Sequence, residues 1–292
     1  MTVTCHAPHT YFSFFIQLNL IPMNLKWCCF VPAIALLSGC GFFGNDRAPG
    51  DIPVTFTDLT RGEDCAYEVT VDKTSWKVNY LAFYLSNPEV KVEGRWIPLD
   101  FKVNDWQSKD VAFMHFQNAC DDKQNRDHIM LDINEALLDR VTELRLTLGL
   151  DFGENHTAQA DQVAPLDKPT MFQSVNIGHN FFRVELQNTR EPSSIWSFLL
   201  ASGGCNGSTP ETTPSACAKP NRVTVTLPMA QNVSDLNLLA KLQQILFRID
   251  LDKVAECNMA KAPDESCKKV MKNLTGRDWL KWDAPDKVYL KS

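Results

Sequence analysis

The chain has 292 residues, of which 44% are hydrophobic, and its 29 basic and 35 acidic side chains give a net charge of −6. This acidic balance and the lack of a long basic run argue against nucleic acid as a partner. The sequence also lacks the GxSxG, HExxH, P-loop and GxGxxG patterns. No catalytic residue is therefore predicted, and we do not expect an enzyme.

The first element in chain order is an export signal. Residues 23–26 (MNLK) are basic, residues 27–36 are apolar but too short to cross a bilayer, and residues 37–39 (LSG) precede Cys40. This order predicts a lipoprotein signal peptide over residues 23–39, with residues 1–22 a mis-called upstream extension. An ordinary secretory signal followed by a chance cysteine is the alternative.

Acylation of Cys40 would attach the chain to a lipid bilayer, and several acyl chains on one cysteine make such an anchor stable. Gly41 rather than aspartate follows the cysteine, which favours the outer membrane of a bacterial envelope. We therefore expect a lipid-anchored protein that faces the periplasm or the cell surface. Residues 40–53 are predicted to be the lipidated cysteine and a flexible tether.

A single β domain is predicted over residues 54–292. Two-residue alternation bounded by Gly, Pro, Asn and Asp clusters predicts strands at 54–56, 67–71, 78–92, 111–117, 143–149, 177–186, 194–200 and 222–228. The 78–92 segment is apolar in both alternating sets, which predicts that both of its faces are covered. These patterns predict an all-β fold, an antiparallel β-sandwich.

Helical patterns are few and lie mainly near the C-terminus. Residues 133–139 fit one or two turns, and residues 268–276 fit a helix ended by Gly276. Leucine and isoleucine residues at 3-4-3 spacing between 239 and 249 predict an amphipathic helix that begins at Ser234. We therefore expect a small helical C-terminal region.

Six cysteines follow Cys40, and an even number in an exported chain predicts disulfides. The sequence leaves the pairing open, but proximity favours Cys205–Cys217 and Cys257–Cys267 and leaves Cys65–Cys120. A disulfide-closed loop also explains residues 201–222, which contain almost no large apolar residue. The absence of CxxC argues against a zinc ribbon, a thioredoxin-like site and a CxxCH haem attachment, so no haem is expected in this chain.

Histidines are the residues that suggest a site. His115 lies in a strand pattern and His128 in a polar run, where a sheet face and solvent are the simpler interpretations. His156 lies in a polar loop and His179 follows a glycine in a strand, and a sandwich can bring both to one end. One interpretation is a copper site completed by the thioether of Met171. The other is a core histidine beside a backbone kink.

Residues 144–186 resemble the central block of the MbnP-like family, the four-Cys-motif protein of the metallo-mystery pair. The features that match in order are Gly149, Asn155-His156, Pro165-Leu166, Met171-Phe172, Gly178 and Phe182-Arg183. The FYLSN segment, Trp106-Gln107 and the last four cysteines extend the resemblance over residues 54–276.

The resemblance implies a secreted copper-binding β-sandwich. It also implies a di-haem partner of the cytochrome c peroxidase or MauG type, which can oxidise a tryptophan of the binding protein to kynurenine. This chain departs from the family at the metal site. Gln173 and Val175 replace the tryptophans of a WxW segment, and Leu199 replaces a histidine. Only His156 keeps its family position, so the resemblance implies an altered copper site in which His179 is a replacement ligand. The alternative function is a binding or structural module without metal that presents its loops to a protein or ligand.

Overall fold

The structure is a computed structural model that describes residues 47–229, 237–253, 255–261 and 263–283. The predicted signal peptide, Cys40 and the start of the tether lie outside the described residues, so the predicted domain boundaries stay predictions. From Asn45 onward the chain forms a compact unit, and the buried apolar side chains of its described residues form one hydrophobic core. Among the described residues, no helix has the length and apolar character needed to cross a membrane.

The fold is mostly β, as the sequence predicts. The strands assigned in the described residues are β1 Asp51–Phe56, β2 Leu59–Arg61, β3 Tyr67–Val71, β4 Thr74–Val92, β5 Arg95–Pro98, β6 Val111–His115, β7 His128–Met130, β8 Val141–Leu148, β9 Phe172–Ser174, β10 Gly178–His179, β11 Phe182–Asn188, β12 Ile195–Leu200, β13 Gly203–Cys205, β14 Cys217–Lys219, β15 Val223–Pro228, β16 Leu238–Ala240, β17 Glu256–Asn258 and β18 Leu280–Trp282.

Strand β4 organises a ten-stranded sheet, whose main order is β15-β8-β4-β11-β12-β17. Along its length β4 pairs with β3, β5, β6, β8 and β11. Residues 81–86 of β4 are all buried, so both faces of the strand are covered there, as its two apolar sets predict. Every neighbour of β4 is antiparallel, which fits the predicted pairing.

A smaller sheet, ordered β18-β16-β1-β7, packs against the large one. The ring of Phe56 in β1 lies 4.9 Å from that of Phe116, which follows β6. Phe83 of β4 contacts Trp279 edge-on at 6.3 Å, just before β18. Both sheets therefore contribute to one core.

The sandwich is not purely antiparallel. The pairs β1–β16 and β12–β17 are parallel. Both β16 and β17 lie far along the chain from their partners, and long connections are what parallel pairing requires.

The helices are α1 Glu135–Leu138, α2 Phe152–Asn155, α3 Leu242–Ile245 and α4 Glu265–Gly276. Helix α4 includes the predicted segment and starts earlier, where the carboxylate of Asp264 accepts from the Cys267 N–H at 2.8 Å. Of the predicted 234–249 helix, the described residues keep only the short α3 Leu242–Ile245, and Leu238–Ala240 form strand β16 instead. Strand β16 pairs with β1 there, because tertiary pairing overrides helical spacing, and Asp58 accepts from the first N–H groups of the short α3.

The disulfides are Cys65–Cys120, Cys205–Cys217 and Cys257–Cys267, which confirms the predicted pairing. Cys205 and Cys217 lie opposite each other in the β13–β14 ribbon. The Cys257–Cys267 bond joins β17 to α4 inside the core.

Candidate functional site

His156 and His179 come from two segments that fold back on each other. His156 ends α2, directly after β8, and its N–H donates to Phe152 O. His179 belongs to β10, which pairs with β9. The predicted 177–186 strand is interrupted, because β10 ends at His179 and β11 begins at Phe182.

Gly178 explains this interruption. Its φ is +84°, and a Cβ at this position would collide with the side chain of Asn155. The hairpin register also shifts between Gly178 and His179. The segment therefore bends at Gly178, where the Asn155 side chain packs against the glycine backbone. This close approach lets Asn155, which is distant in the sequence, accept a hydrogen bond from the His179 N–H.

Asn155 is the residue that connects the two histidines. Its Oδ1 accepts from the backbone N–H of His179 at 2.8 Å, and its Nδ2 lies 3.2 Å from His156 Nε2. The same Nδ2 lies within 3.3 Å of Ile177 O and Ser202 Oγ. The sequence shows Asn155 only as part of an Asn-His pair, and nothing local reveals this bridging position.

The His156 imidazole has a defined tautomer. Its Nδ1 lies 2.8 Å from Val175 O, and a carbonyl can only accept, so Nδ1 carries the proton. Its Nε2 therefore presents a lone pair, 3.4 Å from Cys217 Sγ. Burial lowers the pKa of His156, although the Val175 hydrogen bond opposes this, so the ring is neutral at neutral pH.

The His179 imidazole has the opposite tautomer. Its Nε2 lies 3.0 Å from Gln162 Oε1 and 3.1 Å from Leu166 O. The Gln162 amide is oriented because its Nε2 donates to Thr157 O, so both atoms near the imidazole are acceptors. His179 Nε2 therefore carries the proton.

The Nδ1 of His179 has no hydrogen-bond partner among the described residues, although the side chain is fully buried. The rings of Tyr84 and Phe172 approach the imidazole edge-on at 5.6 Å and 5.2 Å. Burial lowers the pKa of His179 to about 4. The ring is therefore a neutral base with one buried and unused lone pair.

Met171 is fully buried in a 3-10 turn, Pro169–Met171. Its carbonyl accepts from the Asn180 N–H at 2.6 Å, next to β10. Asn155 rather than Met171 makes the hydrogen bonds that link the two histidine segments. The assignment of the Met171 thioether as a copper ligand stays a prediction.

An amide network lies where the family resemblance leads one to expect tryptophan and histidine. Gln173 Nε2 donates to Asn180 Oδ1 at 2.6 Å, and Asn258 Nδ2 donates to Gln173 Oε1 at 3.3 Å. Asn258 is the β17 partner of Leu199 in β12. Val175 contributes only its carbonyl, which orients His156. Hydrogen bonds among side-chain amides therefore connect the Gln173 position to β17, the strand that pairs beside Leu199.

The two other histidines among the described residues lie away from this pair. His115 ends β6, with its ring tilted against those of Tyr80 and Phe113 at 4.9 Å and 5.7 Å, and burial lowers its pKa to about 4. His128 is exposed and contacts the Asp51 carboxylate at 2.7 Å.

Two groups of three potential ligands occur among the described residues. They are His156, Cys205 and Cys217, and Cys257, Asp264 and Cys267. Both pairs of cysteines form disulfides, so neither group offers free thiolates.

Comparison with known proteins agrees with this fold. The structure of MbnP from Methylosinus trichosporium is similar, with a TM-score of 0.59 and 19% sequence identity over 76% of this chain and 86% of that chain. No curated protein matches the chain. The model of the MbnP family matches residues 49–263, which is well over half of the sequence. The chain therefore belongs to the MbnP family.

Proposed function

We propose that this chain is an exported, lipid-anchored MbnP protein that binds copper through His156 and His179. The tautomers of these two imidazoles are the observation that supports the proposal. Each ring donates its proton to an oxygen, at Val175 O or at Gln162 Oε1 and Leu166 O, and leaves its second nitrogen as a base. Metal-binding histidines are held in this way, because the donated N–H fixes both the tautomer and the ring orientation.

The protonation states fit the same proposal. A metal must compete with protons for each nitrogen, and burial lowers the pKa of both His156 and His179. Both rings are therefore ready to bind without first losing a proton at neutral pH. The unpartnered Nδ1 of buried His179 would gain a partner, which removes the cost of an unsatisfied polar atom.

Copper suits this donor set better than a hard cation. Imidazole nitrogen with a thioether is a soft set that copper accepts, and Met171 is the proposed sulfur ligand. Gln173, Val175 and Leu199 supply none of the tryptophan or histidine side chains that the family resemblance leads one to expect there. We therefore expect an altered site that binds copper weakly.

The remaining parts of the proposal concern location and partner. Acylation at Cys40 would hold the protein in the bacterial envelope, at the outer membrane. We propose an accessory role without catalysis, beside a di-haem partner of the cytochrome c peroxidase or MauG type.

Affinity purification from the native host tests the partner, and a haem absorbance band in the eluate is the expected result. An eluate without haem after mild crosslinking would count against it.

Copper titration of residues 41–292 tests the site. We expect one copper(II) ion per chain with nitrogen hyperfine structure in its EPR spectrum. His156→Ala and His179→Ala should lose this signal, whereas His128→Ala should keep it, because His128 is exposed and lies outside the cluster. A wild type that binds no copper would show that the assignment is wrong. So would His156→Ala and His179→Ala variants that both bind copper as well as the wild type does.

A second candidate function is a metal-free binding module. The contact of Asn155 Nδ2 with His156 Nε2 favours it, because hydrogen bonding alone can satisfy that nitrogen. A cleft of 390 Å³ lies nearby, between the β9–β10 hairpin and residues 207–210. The same titration decides between the two functions. If the wild type binds no copper and His156→Ala is clearly less stable than the wild type, the histidines serve to hold the loops in place and the metal-free function is favoured.

A further inference from the structure

A concave basic surface lies on α4 and the segment that follows α3. Five cationic side chains line this hollow of 650 Å³ with one acidic residue, Glu265. We call it the basic pocket, and its cationic residues are Arg248, Lys268, Lys269, Lys272 and Arg277. None of them belongs to the candidate site around His156 and His179. Such a concentration of positive charge is unexpected on a chain with a net charge of −6.

Most of this charge is not neutralised within the protein. Glu265 forms a salt bridge with Lys268 at 2.6 Å. Within the described part of the chain, the other four cations have no salt-bridge partner. Lys269 donates instead to Arg248 O and Arg277 to Gln244 Oε1, which positions both groups without cancelling their charge. The pocket therefore suits an external anion.

Phe247 gives the basic pocket an aromatic centre. Its side chain is 38% exposed, with the guanidinium of Arg277 3.8 Å and that of Arg248 5.0 Å from the ring centre. Stacking on one ring holds two like charges close together. An exposed aromatic flanked by cations is typical of surfaces that bind membrane interfaces, because the ring enters the headgroup layer while the cations contact phosphates.

The basic surface continues towards the point where the chain enters the fold. Lys241 and Lys281 line a second hollow, which shares Arg277 with the basic pocket and contains one acidic residue, Asp278. Lys241 directly follows β16, and Lys281 lies opposite Leu239 of that strand. Arg47 donates to Asn237, just before β16, at 2.9 Å. The seven residue-to-residue steps from Cys40 to Arg47 can span at most about 25 Å, so an acyl anchor would hold this edge close to the bilayer.

We propose that the basic pocket, with Lys241 and Lys281, binds the phosphate-bearing headgroups of an anionic lipid surface. The face with α4 then lies on the membrane. The role of the anchor in this orientation rests on the proposed acylation of Cys40. Headgroup binding itself does not, because every residue involved belongs to the folded unit that begins at Asn45.

Vesicle sedimentation with residues 41–292 tests this proposal without an acyl chain. We expect sedimentation with mixed phosphatidylglycerol and phosphatidylcholine vesicles, loss of binding at high salt, and no binding to pure phosphatidylcholine. Lys269→Gln/Lys272→Gln should weaken partitioning about 25-fold, since each cation near an anionic surface contributes about fivefold. Arg248→Gln/Arg277→Gln should weaken it at least as much, because it also removes the stacking on Phe247.

Lys73→Gln/Lys109→Gln is the matched control, because it removes the same charge from exposed positions outside the pocket. It should change partitioning less than threefold, roughly the residual long-range effect after screening. Equal losses in control and pocket variants, binding to neutral vesicles, or no binding to anionic vesicles would each overturn the proposal. In the last case an acidic protein would be the better partner. All these variants keep the two histidines, so failure here is separable from failure of the copper titration.

Discussion

At the scale of single residues, the contact between Asn155 and Gly178 sets the geometry of the candidate site. We expect Gly178→Ala to lower the free energy of unfolding by about 2–4 kcal/mol. An alanine at positive φ is strained, and its Cβ would displace the Asn155 amide from the His179 N–H, which leaves a buried donor unsatisfied. Urea denaturation measures the change.

Gly153→Ala is the matched control for this substitution. Gly153 lies in α2, two residues before Asn155, and a Cβ there meets nothing within 4 Å. Alanine favours helix, so this variant should be unchanged or more stable by up to about 1 kcal/mol. Equal destabilisation of both variants would mean that the loop as a whole, rather than the Asn155 contact, is sensitive to substitution.

The buried imidazole of His179 makes stability depend on pH. An unfolded histidine is protonated below about pH 6.5, whereas burial keeps the pKa of folded His179 at about 4. Between these values the unfolded state binds more protons, so stability falls as the pH drops from 6.5 to 4. The contribution of His179 to this loss is about 3 kcal/mol.

His179→Gln should remove that contribution and give a flatter dependence of unfolding free energy on pH. His115 adds to the loss of stability at low pH in both the wild type and the His179→Gln variant, because burial also lowers the pKa of His115 to about 4. Chemical denaturation at a series of pH values measures both proteins, and identical curves for His179→Gln and wild type would contradict the buried neutral state.

At the scale of elements, two partly exposed disulfides close loops of different length. Cys65–Cys120 spans 55 residues and Cys205–Cys217 spans 12. Loop entropy predicts that the paired Cys→Ser variants lose about 4 and about 3 kcal/mol, respectively. The β13–β14 ribbon should persist without its disulfide, because Asn206 Oδ1 accepts from the Ser215 and Ala216 N–H groups. Urea denaturation of both variants tests the order, and a larger loss at Cys205–Cys217 would show that its contact with His156 contributes stability as well.

Local patterns in the sequence were sufficient where the structure depends on neighbours in the chain. The alternation of residues 78–92 predicts β4, and the close spacing of two cysteine pairs predicts their disulfides. The break between β10 and β11 depends on Asn155, 23 residues before Gly178, and β16 forms because β1 offers an edge. Such distant contacts leave no periodic signal, so a single sequence cannot place them.

The same distinction applies to the candidate site. His156 and His179 can be selected from the sequence because they are rare chemical groups in otherwise ordinary segments. The atoms that set their tautomers cannot, since Val175 O, Leu166 O and the Gln162 amide reach them only through folded loops. The sequence likewise does not predict the amide network of Gln173, Asn180 and Asn258, because nothing in the local pattern distinguishes these residues from other polar residues.

At the scale of the whole molecule, the proposed lipid anchor and the basic pocket are two attachments to one membrane. The acyl chains would hold the protein by burial of hydrocarbon, which salt does not screen, whereas the basic pocket would hold it by charge, which salt does screen. We therefore expect the native chain to stay in the membrane fraction in high salt and to leave it only in detergent. Mass spectrometry of that fraction should find an N-terminus at Cys40 that carries acyl chains.

A chain exported through a cleavable secretory signal joined to residue 41 has only the second attachment. It should associate with membranes at low salt and be released at high salt, because screening weakens the contact of Lys269 and its neighbours with phosphates. Adding Lys269→Gln/Lys272→Gln to this chain should make it soluble at both salt concentrations. Salt-resistant membrane binding of the chain without Cys40 would contradict acylation as the anchor. A native protein that salt alone releases would contradict it equally, because hydrocarbon in a bilayer is not screened.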